Sequence, residues 1–105
     1  MEDKKERADR FNTDKPKWAL VDFKSLEPMV NVLEFGAQKY SKDNWKKGLL
    51  VTEICESLLR HTFDLLEGKT LDDESKLKLT GHILANAMIL EHMISNKPEF
   101  DDRVK

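Results

Sequence analysis

TEICESLLRHTFDLLEG, residues 52–68, reads as a helix, and its reading decides the fold class. At roughly 100° per residue, Glu53, Glu56, Ser57, Arg60, Asp64 and Glu67 share one arc. Ile54, Cys55, Leu58, Leu59, Thr62, Leu65 and Leu66 fill the opposite one, with His61 and Phe63 at the borders. Thr52 is the expected N-cap, Glu53 and Glu56 suit the positive end of the helix dipole, and Gly68 suits the C′ position. The charged arc has two readings. It is an ordinary solvated face, or it is one wall of a site where carboxylates hold Mg²⁺ and a guanidinium holds phosphate.

Composition narrows the class. A chain of 105 residues makes one domain with a modest core, which oligomerisation would help to complete. With 39% hydrophobic and 36% charged residues it is globular, and a formal net charge of -2 gives no bulk attraction to nucleic acid or membrane. The single cysteine, Cys55, excludes an internal disulfide and a zinc framework; its place on the apolar arc makes it a core thiol. MEDKKERADR at the N-terminus has no apolar stretch of the kind that leads a secreted chain, and no run approaches the ~18 apolar residues of a membrane span. The expected location is cytoplasmic.

Around the central helix, residues 1–17 form a polar arm, 18–97 a helical domain and 98–105 a tail without further chemistry. The arm's first ten residues read as frayed or loosely helical, and Pro16 makes 14–18 extended. Lys15 and Lys17 flank that proline, solvated or within reach of a phosphate. Residues 22–40 form a first long helix with Ser25 as N-cap and Pro28 tolerated in the first turn. Met29, Val30, Leu33, Ala37 and Tyr40 recur along it at helical spacing, and Gly36 inside it suggests a close approach by another helix or a ligand. Residues 41–50 are a loop hinged at Gly48, where Trp45 either stacks on a base beside Asn44 or plugs the end of the core. After Gly68 comes an acidic turn, where Asp72, Asp73 and Glu74 either cap the next helix or add carboxylates to a site.

The last helix, 77–96, contains GHILANAMIL, apolar nearly all round and therefore expected to be buried. His82 and Asn86 stand one turn apart in it, and buried polar groups need partners. The polar arc of the 52–68 helix is the expected supplier. The fold class is all-α: a small bundle of three main helices with an extended N-terminal arm, completed by oligomerisation. The expected assembly is a homodimer or larger, with the 81–90 segment at or near its interface, because three helices leave that segment hard to surround.

Carboxylates, Arg60, His61, His82 and Asn86 on two helices, with Asn44 and Trp45 from the loop, fit metal-assisted hydrolysis of a nucleotide. The chain has no GxxxxGK[ST] phosphate loop, no GxSxG elbow and no His-Asp dipeptide.

The succession RFN, KPKW, EFGAQKY, DNWKKG, LLRH, DDES and GH closely resembles a small phage family, the dATP/dGTP diphosphohydrolase N-terminal domain. The resemblance runs from about Arg10 to about Met93. It implies a phage-encoded, all-helical protein of nucleotide hydrolysis in the cytoplasm of an infected bacterium. An alliance with the MazG-like pyrophosphohydrolases follows, which use Mg²⁺ to split a nucleoside triphosphate into monophosphate and pyrophosphate. The matching positions are Glu34, Lys39 and Tyr40 in EFGAQKY, Asn44 and Trp45 in the next motif, Arg60 and His61 in LLRH, Glu74 and Ser75 in the acidic turn, and His82. Glu53 with Glu56 resembles the ExxE half of the MazG-type metal signature. Its ExxD half is replaced here by His82 and Asn86.

The expected function is metal-dependent hydrolysis of a purine deoxynucleoside triphosphate. Glu53 and Glu56, with Glu34 and Glu74, would hold Mg²⁺ or Mn²⁺. His61, His82 and Glu56 are the candidate catalytic groups, and Lys39, Tyr40, Asn44, Trp45, Arg60 and Asn86 the candidate substrate contacts. Two alternatives remain open: a protein that binds or sequesters a nucleotide without cleaving it, acting on host signalling or defence, and a helical module in which His82 and Asn86 only fix packing.

Overall fold

The computed structural model describes residues 5–104. It contains α1 (Glu27–Lys39), α2 (Val51–Leu66) and α3 (Leu79–Asn96). Short 3₁₀ turns occur at Trp18–Leu20, Phe23–Leu26, Asn44–Lys47 and Pro98–Phe100. Among the described residues there is no strand; an isolated bridge pairs Leu71 with Lys78. The all-α class and the three main helices are as the sequence indicates.

α3 is the middle element. It packs along both α1 and α2, and each of those packs on α3 rather than on the other. Its buried residues Gly81, Ala85, Ile89 and Met93 recur every fourth position, and Leu79 is fully buried at its start. Packing on α1 and α2 accounts for the buried stripe of α3, while Ile83, Leu84, Met88 and Leu90 are half-buried and Ala87 is exposed. Val51, Ile54, Ile89 and Met93 form the core cluster, with Trp45, Cys55, Met88 and Leu90 packed against it.

Several local expectations change. α1 starts at Glu27 with Leu26 as its N-cap and without a side-chain cap; the Ser25 hydroxyl donates instead to Asp22, at 2.5 Å. Pro28 does sit in the first turn. Gly36 faces open space, and the close approach occurs at Gly81, where a β-carbon would collide with the carbonyl of Pro28. α2 starts at Val51, one residue before the expected cap. Thr52 is held by the tail: the Asp102 carboxylate accepts from the Thr52 backbone N–H at 2.9 Å and from its hydroxyl at 2.6 Å. Phe100 covers Gly48 and leaves no room there for a side chain, and the φ of 127° is itself one that side chains rarely adopt. The tail is therefore part of the fold. Gly68 ends α2 as expected, at φ 98°. The Gly68 and Lys69 amides donate back to Leu65 and Asp64 in a Schellman arrangement.

The helix surfaces are rotated relative to the reading of α2. His61, Ser57 and Asp64 are half-buried, whereas Leu59, Thr62, Phe63, Leu65 and Leu66 are exposed. The polar groups of α3 explain this, because they draw Ser57 and His61 inward.

Every described residue from 5 to 25 is exposed, and the expectation for residues 1–4 lies outside the described residues. The radius of gyration, 18.4 Å, exceeds the ~13 Å of a compact chain of this length, as an arm without packing requires. Among the described residues no helix is long and apolar enough to cross a membrane.

Candidate functional site

His61 from α2, His82 from α3 and Asp72 with Ser75 from the connecting loop meet in a half-buried notch. The loop is brought there by the Leu71–Lys78 bridge: the Asp72 amide donates to Leu77 and the Leu79 amide to Thr70. Asp72 folds the turn around itself, accepting the backbone amides of Glu74 at 3.1 Å and Ser75 at 2.8 Å through Oδ2.

Both imidazoles face that carboxylate. His61 Nδ1 is 3.9 Å from Asp72 Oδ1 and His82 Nε2 is 3.8 Å from Asp72 Oδ2. The two rings stack at a centroid distance of 4.7 Å with 23° between their planes. Ser75 Oγ lies 2.7 Å from His82 Nε2 and also accepts the Leu77 amide. His61 Nδ1 is buried without a hydrogen-bond partner. A buried polar nitrogen beside a carboxylate, too far away for a direct bond, suits a site that an incoming group completes.

Electrostatics separates the members. Burial pushes the Asp72 carboxyl up, but hydrogen bonds from the Ser75 backbone and hydroxyl, with the two histidines beside it, outweigh this and hold it below its ordinary value. Burial, then the neighbouring His61, holds His82 below the usual imidazole range. At neutral pH the notch thus holds an ionised Asp72 and a neutral His82. Ser75, His82 and Asp72 do not form a nucleophilic triad, since serine and carboxylate face the same ring nitrogen.

Asn86 donates to Ser57 Oγ at 3.2 Å and to the His82 carbonyl, one turn back in its own helix, at 3.0 Å. The expected supplier, the α2 polar arc, thus serves Asn86 through Ser57. His82 finds its hydrogen bond in the loop instead. Lys39 at the end of α1 is paired with Glu74 at 2.8 Å, which sets a cation on the same acidic turn. Its Nζ also lies 5.3 Å from the centre of the exposed Tyr40 ring.

The other candidates are dispersed. Glu34, Glu53, Glu56 and Arg60 are exposed on α1 and α2. Trp45 packs edge-on against His92, 5.1 Å between ring centres, beside half-buried Asn44. This is the core-plug arrangement. His92 is ten residues, about 15 Å of helix, from His82. Among the described residues no group of three or more His, Cys, Asp or Glu side chains is placed to hold a metal ion, so Glu34, Glu53, Glu56 and Glu74 do not form a metal cage within one chain.

Asp72, which the sequence offers with Asp73 and Glu74 as a cap or a site carboxylate, is the acidic-turn residue that faces the histidines, while Glu74 pairs with Lys39. Its signal was the DDES turn preceding a helix with two buried polar residues. A further feature was not foreseen: the same loop, with Leu71, Lys76, Leu77 and Lys78, joins Lys24, Glu27, Pro28 and Asn31 around an open cleft of about 480 Å³. The cleft does not contain the histidines. Their convergence and burial carry the chemistry, and the cleft offers three lysines beside it.

The family model described as "dATP/dGTP diphosphohydrolase, N-terminal" matches residues 5–103. The chain belongs to this family. The dATP/dGTP diphosphohydrolase of Salmonella phage PMBT28 is 31% identical over 94 residues, which cover 90% of this chain and 32% of that relative. The chain thus spans about a third of the length of the relative it matches. No solved structure matches. Membership of the diphosphohydrolase N-terminal family agrees with the ordered motifs, and the notch is built from three of them: LLRH, the DDES turn and the GH pair.

Proposed function

We propose that the protein hydrolyses a purine deoxynucleoside triphosphate to its monophosphate and pyrophosphate, and that the His61–Asp72–His82 notch is where it does so. The observation that carries this reading is the convergence of two stacked imidazoles on one ionised, half-buried carboxylate, in a family whose phage relative is named a dATP/dGTP diphosphohydrolase.

Water attacks the α-phosphorus, the bond from that phosphorus to the bridging oxygen breaks, and pyrophosphate leaves with the electron pair. The neutral imidazole of His82 accepts the proton of the attacking water, with the His61 ring stacked beside it, and Asp72 stabilises the imidazolium that forms. Lys39 at the rim, with Lys24, Lys76 and Lys78 in the adjoining cleft, offsets phosphate charge. Arg60, Tyr40, Asn44 and Trp45 remain candidates for substrate contacts only if the ligand extends beyond the notch.

Mg²⁺ or Mn²⁺ belongs to the proposal. Mg²⁺ is commonly held by one or two carboxylates plus the substrate's own phosphates, and Glu53, Glu56, Glu34 and Glu74 are exposed for that role. When bound, it would neutralise charge developing on the phosphates. Incubation with dATP, dGTP, dCTP and dTTP, with Mg²⁺ or Mn²⁺ and with chelator, tests this reading. It predicts pyrophosphate and monophosphate from the purine nucleotides, lost on chelation; no pyrophosphate from any of them at micromolar protein rejects it.

A second reading, binding without cleavage, is favoured by the absence of a three-donor metal group among the described residues. Calorimetric binding of a purine nucleotide that is recovered unchanged would support it. No binding at all would remove both.

A further inference from the structure

On the side of α2 away from α3, Leu59, Phe63 and Leu66 are exposed to 69%, 61% and 84%. Their i, i+4, i+7 spacing makes one stripe along the helix. An apolar stripe on a well-formed helix is an association surface. One flank of it is charged: taking Leu59 as origin, Glu56, Glu67 and Arg60 fall at roughly 60°, 80° and 100°. Among the described residues neither Arg60 nor Glu67 forms an ion pair.

We infer that this face binds the same face of a second copy, α2 against α2, antiparallel about a two-fold axis near Phe63 and Asp64. In a two-fold antiparallel pair the same flank of each helix meets its equivalent. Arg60 and Glu67 are seven residues, about 10.5 Å, apart. Turning the helix over about their midpoint sets each Arg60 opposite the partner's Glu67, giving two ion pairs beside the joined stripes. The face is self-complementary in charge, and this selects a second copy over an unrelated occupant. A parallel pair would bring unlike flanks together and leave these charges unpaired.

Because the axis lies near the C-terminal end of α2, the two helices overlap only from about Leu59 to Glu67, about 12 Å, so the contact falls at the small end of specific interfaces, below about 1,200 Å². The dimer therefore depends on concentration. The stripe lies across the helix from His61, so this inference stands apart from the hydrolytic reading and fails or succeeds separately.

Sedimentation equilibrium of the full chain, from low to several hundred micromolar, tests it. A monomer–dimer equilibrium is expected, weakened at least about tenfold by Phe63→Asp with the far-ultraviolet helix signal unchanged. Arg60→Glu should weaken it too, and Arg60→Glu combined with Glu67→Arg should recover it. A monomer at every concentration, a dimer indifferent to Phe63→Asp, or a double exchange that recovers nothing would overturn the inference.

Discussion

Protonating His82 in the folded protein means charging an imidazole that burial and the adjacent His61 ring both disfavour. The unfolded chain titrates near the ordinary value of about 6.5, so it takes up this proton first as pH falls. Stability from this group is therefore full above that pH and declines below it. Asp72, held below its ordinary value, adds stability that is present above about pH 4 and lost on further acidification. Thermal melts should show Tm falling as pH drops from about 7.5 to 5.5, and His82→Gln should flatten that slope. An unchanged slope would mean that His82 is not the group titrating. His82 and Asn86 announced themselves in the sequence as polar groups in an apolar run. Asp72 was legible only as one of three carboxylates in the acidic turn, because which of them meets the histidines depends on the pairing of Leu71 with Lys78 across the loop, which no local pattern encodes.

Two glycines separate what a helix tolerates from what a packing requires. Gly36→Ala meets nothing within 4 Å and removes a helix-interior glycine, so it should stabilise the protein by up to about 1 kcal/mol. Gly81→Ala drives a methyl into the Pro28 carbonyl where α1 and α3 touch, and should cost about 1–3 kcal/mol. Chemical denaturation of both variants checks the opposite signs. Sequence spacing located both helices but could not tell which glycine faced a neighbour. The start of α2 gives a third test. Hydrogen bonds from the Thr52 side chain and backbone hold the Asp102 carboxyl below its ordinary value, so Asp102→Ala should lower Tm at neutral pH. The difference from wild type should shrink as the pH falls below about 4, where the carboxylate protonates in both states. Asp102 sits between Asp101 and Arg103, and nothing in that charged run signals that it reaches back 50 residues.

At the scale of the molecule, the burial of α3 was legible because GHILANAMIL has no polar face to give to water. What surrounds α3 was not, since periodicity says that a helix is covered but not by which helix. The structure covers α3 with α1 and α2 and leaves the apolar stripe on α2 instead, a consequence of turning Ser57 and His61 inward. The site follows the same logic: LLRH and DDES are separate motifs in the chain, and the packing of α2 on α3 joins them. Pyrophosphate release from dGTP and dATP by the wild-type protein and by Asp72→Asn, with circular dichroism confirming that both are folded, is the most direct test of the hydrolytic notch. Release by the wild type and a fall of about a hundredfold in the variant are expected, since the partner of a catalytic imidazole is removed. No release by the wild type, or an undiminished rate in folded Asp72→Asn, would contradict the hydrolytic reading.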